Sequence, residues 1–375
     1  MKIKQCSLFS GIGAFEKAMS NLGVDFEITS YCEINKYSSC AYAAIHGVDE
    51  SLNLGDISQV KSEDIPEFNL LTWGFPCQDI SIAGKQAGIK RGTRSGLYYE
   101  GYRILKDRLP KYSIIENVKN LTQKGHKEEF AMILEDLEGL GYKNYWKVLN
   151  AKDFGVPQNR ERVFIISILG DGDFEFPEGF DSGIRLKDVL EEDIDEKYYV
   201  SEKMLKGFLA HNKNHEGRTG FVWKPTDVNS NAKCLRANGA LCPTDNTIIE
   251  PIRLGGLFDT EKSKHQAGAV WDKETIAPTL DTMQGGYRQP SIVEERLQHN
   301  ITLDTLTDVF RIRKLTPLEC WRLMGFSDED FDKARKALIE KFYKGNDRAN
   351  SQLYKMAGNS IVVDVLMLIF KQLFN

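Results

Sequence analysis

The chain has no Cys-x-x-Cys pair, no apolar run of bilayer length and no excess of positive charge. Its seven cysteines, Cys6, Cys32, Cys40, Cys77, Cys234, Cys242 and Cys320, are odd in number and widely spaced, which argues against a disulfide scaffold or a zinc site. Free thiols in a reducing compartment are expected, most of them packed as small hydrophobes. The longest apolar run, IVVDVLMLIF, contains Asp364 and is too short to span a bilayer. The first residues, MKIKQCSLFSG, hold no apolar segment of signal length. The expectation is a cytoplasmic protein, nucleoid-associated if bacterial, with no membrane partner. A net charge of −5 argues at first against a nucleic-acid partner. Its distribution reverses that. Residues 171–196 hold eleven acids and two bases, whereas residues 74–98 hold four bases against Asp79 alone. A mildly basic working surface beside an acidic connector is compatible with a polyanion.

What is present has the size of two domains: 375 residues, 41% hydrophobic and 27% charged. The first half alternates short β-like runs with helical patterns. IKQCSLFSG, FEITSYCEI, NLLTWGF, KYSIIENV, YWKVLNA and RVFIISIL read as strands. AFEKAMSNLG, NKYSSCAYAAIHG and KEEFAMILEDLEGLGY read as helices. This rhythm predicts a doubly wound, mostly parallel α/β sheet, whose ligands sit outside the carboxyl ends of the strands. Residues 199–310 turn Gly-, Asn-, Pro- and Thr-rich with little helical period, which predicts a smaller, irregular, mainly β domain. There AKCLRANGA weakly repeats as APTLDTMQGG. Helices return from Thr316, an N-cap followed by Pro317. The predicted boundaries are 1–178 with 350–375 for the sheet domain and 179–349 for the second, with 171–196 as acidic connector.

Five strand ends carry candidate chemistry. SLFSGIGAFE is a Gly-rich turn between strand and helix, and Glu33 stands 20 residues after Gly13, a spacing that suits ribose hydroxyls. A plain tight turn explains it equally. Asp56 in LGDIS is a second acid at a strand end, or a helix cap. In GFPCQDIS a cysteine follows a stiffening proline and precedes a Gly-, Lys- and Arg-rich loop. Cys77 is a packed thiol by base rate and an exposed nucleophile by context. Glu116 in IIENV sits just past an apolar run, where a carboxyl can keep its proton and act as an acid. Arg160 and Arg162 in QNRERVF share one strand face, as working cations or as an ion-pair ladder with Glu161.

In order, LFSGIG, CEIN, GDI, GFPCQDIS, ENV, QNRERVF, RKLTPLECWRLMGF and YKMAGNSI resemble the motif set of the C5-cytosine-specific DNA methyltransferases, over residues 3–170 and 311–370. The resemblance implies a Rossmann-like S-adenosylmethionine-dependent catalytic domain and a target-recognition domain in the middle. It implies S-adenosyl-L-methionine as cofactor, S-adenosyl-L-homocysteine as product, and no metal. Phe9, Gly11, Gly13, Glu33, Asp56, Ile57, Pro76, Leu97 and Asn359 would line the cofactor pocket, with Glu33 on the ribose, Asp56 on the adenine amino group and Asn359 toward the methionine end. Cys77 would be the nucleophile, with Glu116, Arg160 and Arg162 completing the catalytic set. Double-stranded DNA would be held by Gln78, Ser81, Lys85, Arg91 and Arg94 from a loop over 78–98 that closes on the flipped base, and by Gln266, Thr279 and Arg288. Ala83 stands where family members often carry a serine, and Ala269 near a guanine-reading arginine of some members. A monomer is implied, whose separate partner is a restriction endonuclease, or whose role is phage or host DNA protection. An RNA cytosine methyltransferase is the first rival; the Cys-Phe-Thr element of that branch is absent. An NAD-dependent oxidoreductase leaves Cys77, Glu116 and the arginine pair unused. A silent DNA-binding protein leaves the Cys77–Glu116 pair without a purpose.

Overall fold

The computed structural model describes residues 2–76, 95–215, 222–237, 241–242, 245–251, 253–256, 269–272, 291–293 and 310–374. Six strands form the principal sheet: β1 (Ile3–Leu8), β2 (Phe26–Cys32), β3 (Leu70–Trp73), β4 (Tyr112–Val118), β5 (Tyr142–Asn150) and, after the two-residue β6 (Gln158–Asn159), β7 (Glu161–Leu169). Their order is β2-β1-β3-β4-β7-β5. Pairing is parallel from β2 through β4, and β7 runs antiparallel to both its neighbours. The reversal has a simple cause. Only residues 151–160 separate β5 from β7, too short a link for a parallel crossover. The chain leaves β1 toward β2, then returns to pair β3 on its other side, so a switch point lies at β1/β3 and opens a crevice at the carboxyl ends.

Helices α1 (Ala14–Leu22), α2 (Lys36–His46), α3 (Tyr98–Arg108) and α4 (Lys127–Gly139) connect these strands. Asn35 caps α2 by accepting from the Tyr37 and Ser38 N–H groups. Helix α3 was not anticipated, because Gly101 interrupts its pattern. The glycine has a tertiary reason: a Cβ there would lie 2.4 Å from the Trp73 indole, which stacks on Tyr98 with centroids 5.7 Å apart. All four residues of β3 are buried, as a central parallel strand requires.

Two compact units emerge: Met1–Val189 with Asn231–Gly239 and Pro317–Asn375, and Leu190–Ser230 with Ala240–Thr316. Residues 317–349 and 231–239 therefore pack with the sheet unit, on the other side of the sequence-derived boundary. Helix Asp328–Tyr343 is held there by a part-buried ion pair, Lys17 Nζ to Asp330 Oδ1 at 2.9 Å, with Asp330 also closing a capping box with Ser327. The stretch Asn350–Phe374 is long and apolar enough to cross a membrane by composition. It breaks at residues 360–362 into two helices, and the second buries Val363, Val365, Leu366, Ile369 and Phe370, each contributing roughly 1.5–3 kcal/mol. Phe370 meets Phe15 of α1 edge-on at 6.4 Å.

The second unit, among its described residues, pairs strand Thr247–Pro251 antiparallel with Phe310–Lys314. Its small core joins Leu205, Phe208, Trp223 and Ile312. Leu205 and Phe208 belong to a helix, Glu202–Asn214, in a region expected to lack one. The Ser201 cap and the apolar spacing of Leu205, Phe208 and Leu209 were its signals.

Candidate active site

At the carboxyl end of β1 the backbone turns sharply. Phe9, Gly11 and Gly13 have φ of 56°, 58° and 78°. The two glycines serve different needs. A Cβ on Gly11 would meet nothing within 4 Å, so its conformation alone demands glycine. A Cβ on Gly13 would lie 2.1 Å from His46 Nε2 and 2.8 Å from the Tyr42 ring. His46 Nε2 also lies 3.1 Å from the Ile12 carbonyl oxygen, and burial pushes the imidazole down to about 4.

Glu33, just beyond β2, accepts the Gly11 N–H on Oε2 at 2.9 Å and the Asn35 N–H on Oε1 at 2.6 Å. Burial raises its pKa, against those N–H groups and the charge of Lys355. Asn53 holds the backbone of Glu33 from both sides, accepting its N–H at 3.0 Å and donating to its carbonyl at 2.9 Å, and also accepts the Gly55 N–H. Asn53 was missed in the sequence, since its part in the site is its hold on Glu33, twenty residues earlier in the chain. Asp56 uses Oδ1 to cap the short turn Ile57–Gln59, accepting from Ser58 N–H and Ser58 Oγ at 3.0 and 2.8 Å. Phe9, Ile57 and Leu97 belong with Phe75 to one apolar cluster. Ile34, between Glu33 and Asn35, is 77% exposed, a large apolar side chain with no protein cover. It too escaped the sequence reading.

Three strand spacings from Glu33, roughly 14 Å across the sheet, lies Glu116 on β4. A Cβ on Gly74 would lie 3.3 Å from both its carbonyl oxygen and Oε2, so the end of β3 presses directly on it. Asn117 donates to the Phe75 carbonyl at 3.2 Å and fixes the turn that leads through Pro76. Opposite Val118 on β7 stands Arg162, so Arg162 and Glu116 are diagonal neighbours on one face. Arg162 Nε and Glu116 Oε1 are 3.0 Å apart. Burial raises the Glu116 carboxyl, opposed by the Arg162 and Arg160 charges.

Arg160 does something else. It is buried, and its Nη groups donate to the carbonyls of Leu235, Gly358 and Ser360 at 3.1, 3.1 and 2.6 Å, and to Cys234 Sγ at 3.4 Å. It ties the chain just before β7 to the end of helix Asn350–Asn359, whose last residue is itself exposed. Glu161 pairs with Lys119 at 2.8 Å instead of bridging the two arginines. Cys77, Gln78, Ser81, Lys85, Arg91, Arg94, Gln266, Thr279 and Arg288 lie outside the described residues, Cys77 directly following Pro76 in the chain. Among the described residues no group of three His, Cys, Asp or Glu side chains could hold a metal ion.

The crevice thus has two ends: a carboxylate set on backbone N–H groups beside bare apolar surface, and a half-buried acid paired with arginine. The first suits an adenosyl group. The open side of Gly11 and the uncovered Ile34 leave room for one, and the Ser10 hydroxyl is buried there without a partner.

Known proteins resemble the chain in sequence and in fold. The family model described as C-5 cytosine-specific DNA methylase matches residues 3–375. An orphan methyltransferase of Bacillus phage SPbeta, M.SPBetaI, is 33% identical, covering 100% of this chain and 98% of that protein. The type II methyltransferase M2.ScrFI of Lactococcus lactis subsp. cremoris is 35% identical over 86% of this chain and 71% of its own length. Among solved structures, the Dnmt2 methyltransferase of S. pombe superposes with TM-score 0.64 at 19% identity, covering 98% of this chain and 97% of that one. The Entamoeba histolytica methyltransferase EhMeth gives 0.67 at 17%, covering 100% and 98%. At those identities the structures speak for the fold alone.

Proposed function

The chain belongs to the C-5 cytosine-specific DNA methylase family, and from that premise we propose that it methylates C5 of a cytosine flipped out of a short, specific duplex DNA site, through an adduct between Cys77 and C6 of the base. S-adenosyl-L-methionine, when bound, supplies the electrophilic methyl group and leaves as S-adenosyl-L-homocysteine. The observation that carries the reading is the Glu116–Arg162 pair, half-buried at the strand end against Gly74.

C5 of cytosine is a poor nucleophile. When the Cys77 sulfur adds at C6, the electron pair moves into the ring and makes C5 reactive. Charge then develops at N3 and O2. Glu116 keeps its proton more readily than an exposed glutamate and donates it toward N3, while Arg162 faces the carbonyl oxygen. After methyl transfer a base, which we assign to water, removes the C5 proton, and the Cys77–C6 bond breaks. Arg160, with its Nη donors on backbone carbonyls and the Cys234 sulfur, positions the site and does not touch the base.

At the other end Glu33 retains a lone pair on each carboxylate oxygen for the ribose hydroxyls. Asp56 Oδ2 accepts from the adenine amino group, Ile34 and Ile57 cover the purine faces, and Asn359 reaches the methionine end. The unit Leu190–Ser230 with Ala240–Thr316 acts as the target-recognition domain. Gln266, Thr279 and Arg288 there, and Gln78, Ser81, Lys85, Arg91 and Arg94, are assigned to DNA by motif order, so binding weakens with salt. The enzyme acts as a monomer in restriction–modification or in phage or host DNA protection.

Trapping on duplex DNA carrying 5-fluorocytosine tests this. Wild type forms an adduct that survives denaturation, and Cys77→Ala does not. No adduct with wild type, or one that persists in Cys77→Ala, overturns the mechanism. Running transfer RNA beside duplex DNA identifies the substrate class, and bisulfite sequencing of plasmid from expressing cells reads the site.

A further inference from the structure

The turn that carries Asp56 and Ile57 is too small to hold itself. It is a single 3₁₀ turn, closed by the Gln59 N–H on the Asp56 carbonyl at 2.9 Å and by the Val60 N–H on the Ile57 carbonyl at 3.3 Å. Asp56 caps its start with its own side chain. Its far end needs a donor from elsewhere, because the last carbonyls of a helical turn have too few partners within it. Arg103 of α3, 46 residues beyond Ile57 in the chain, supplies that donor. Its Nη2 donates to the carbonyls of Ile57 and Val60 at 3.1 and 2.8 Å, and its Nη1 to Ser62 Oγ at 3.1 Å. Glu100, one turn earlier on α3, accepts from Nε at 3.0 Å and fixes the plane of the guanidinium.

A second arginine of the same helix shows what is particular to the first. Arg108 grips the carbonyls of Ser62, Ile65 and Pro66 at 2.6, 2.5 and 3.3 Å, and its guanidinium lies 5.2 Å from the Phe68 ring. It holds the link into β3, where no residue assigned to the cofactor lies. Both arginines are half-buried clamps on backbone carbonyls. They differ in what the clamped chain carries. The turn under Arg103 buries Ile57 against Phe9 and Leu97 and leaves Asp56 exposed at the crevice. We propose that Arg103 is a positioning residue for the cofactor: it sets the turn so that Asp56 and Ile57 stand in place for the adenine before the ligand arrives. Ordering done in advance is not charged against binding. This deepens the assignment of that end of the crevice to S-adenosylmethionine and rests on it.

Calorimetry with S-adenosyl-L-homocysteine reads the effect without any chemistry following. Arg103→Met raises the Kd at least about tenfold. Arg103→Lys recovers part of the loss, because the Ile57 and Val60 carbonyls converge on the one atom Nη2, which an ammonium can replace. Arg108→Met removes a similar clamp and lowers the melting temperature, yet leaves the Kd within about twofold. In steady state Arg103→Met raises the KM for S-adenosylmethionine while kcat at saturation stays within about twofold. Equal rises in Kd for the two methionine variants, or none in Arg103→Met, assign Arg103 to general stability and overturn the proposal. Hydrogen exchange in the ligand-free wild type judges it whether or not a variant folds. The Gln59 and Val60 amides are protected there, and exchange at the rate of an open chain overturns the proposal. A wild type that does not bind S-adenosyl-L-homocysteine removes the cofactor assignment and this one with it. A wild type that binds it beside an unaffected Arg103→Met removes this one alone.

Discussion

The two ends of the crevice are held by different physics. At the Glu33 end, geometry comes from the backbone: positive φ at three of five residues, and a carboxylate seated on two N–H groups and steadied by Asn53. At the Glu116 end, geometry comes from long charged side chains in a buried place, where Arg162 and Arg160 work against desolvation. The first end is fixed by short-range hydrogen bonds. The second is fixed by a balance of charge and is therefore where protonation can be set for chemistry.

The comparison breaks most visibly at Glu116. Glu116→Gln keeps the shape and removes the acid. Methylation falls about 10²- to 10³-fold in kcat, while the Kd for S-adenosylmethionine changes less than about threefold. The pH profile carries the sign. Glu116 acts protonated, and burial holds its pKa above the ordinary carboxylate value, so activity is present below that raised pKa and lost as pH rises through it. In the glutamine variant the residual activity lacks this loss. A wild-type rate that shows no loss above the ordinary carboxylate value would remove Glu116 from the role of acid.

How much of this was legible depends on where each residue's partners lie. Strands β1 to β4 and helices α1, α2 and α4 were readable because apolar spacing and Gly stops are local. Helix α3 was not, since Gly101 answers to Trp73 across the fold. The direction of β7 was not, because RVFIISIL is buried on both faces and reads the same in either sense. At the site, Glu33 and Glu116 stood out as acids at strand ends. Asn53 and Cys234 did not, because partners of theirs arrive from distant parts of the chain, and Ile34 did not, because its lack of cover shows only in the fold.

A pair of substitutions sharpens the backbone end. Gly13→Ala places a methyl into His46 and Tyr42 and strains a residue at φ +78°. Stability falls by about 2–4 kcal/mol, from combined clash and strain, and the Kd for S-adenosylmethionine rises at least about thirtyfold. Gly11→Ala meets open space and carries only the backbone strain, about 1 kcal/mol. Thermal unfolding with isothermal titration separates the two; equal losses would mean that the two glycines do not divide conformation and packing as described.

Beneath that loop lies a group belonging to neither end. Glu16 on α1 is fully buried, and neither carboxylate oxygen has a hydrogen-bond partner. Burial pushes its pKa up to about 7; its own backbone N–H and the nearby Ser7 and Tyr42 hydroxyls oppose the rise without reaching hydrogen-bond geometry. The native state therefore binds a proton that the unfolded chain releases near its ordinary value of 4.5. Stability is complete below that value and is lost as pH rises toward 7, by about 3 kcal/mol in all. Glu16→Gln keeps the shape and cannot ionise, so its urea midpoint stays nearly level between pH 5 and pH 8 where that of wild type declines. Parallel declines in the two proteins would place the titration on another buried group.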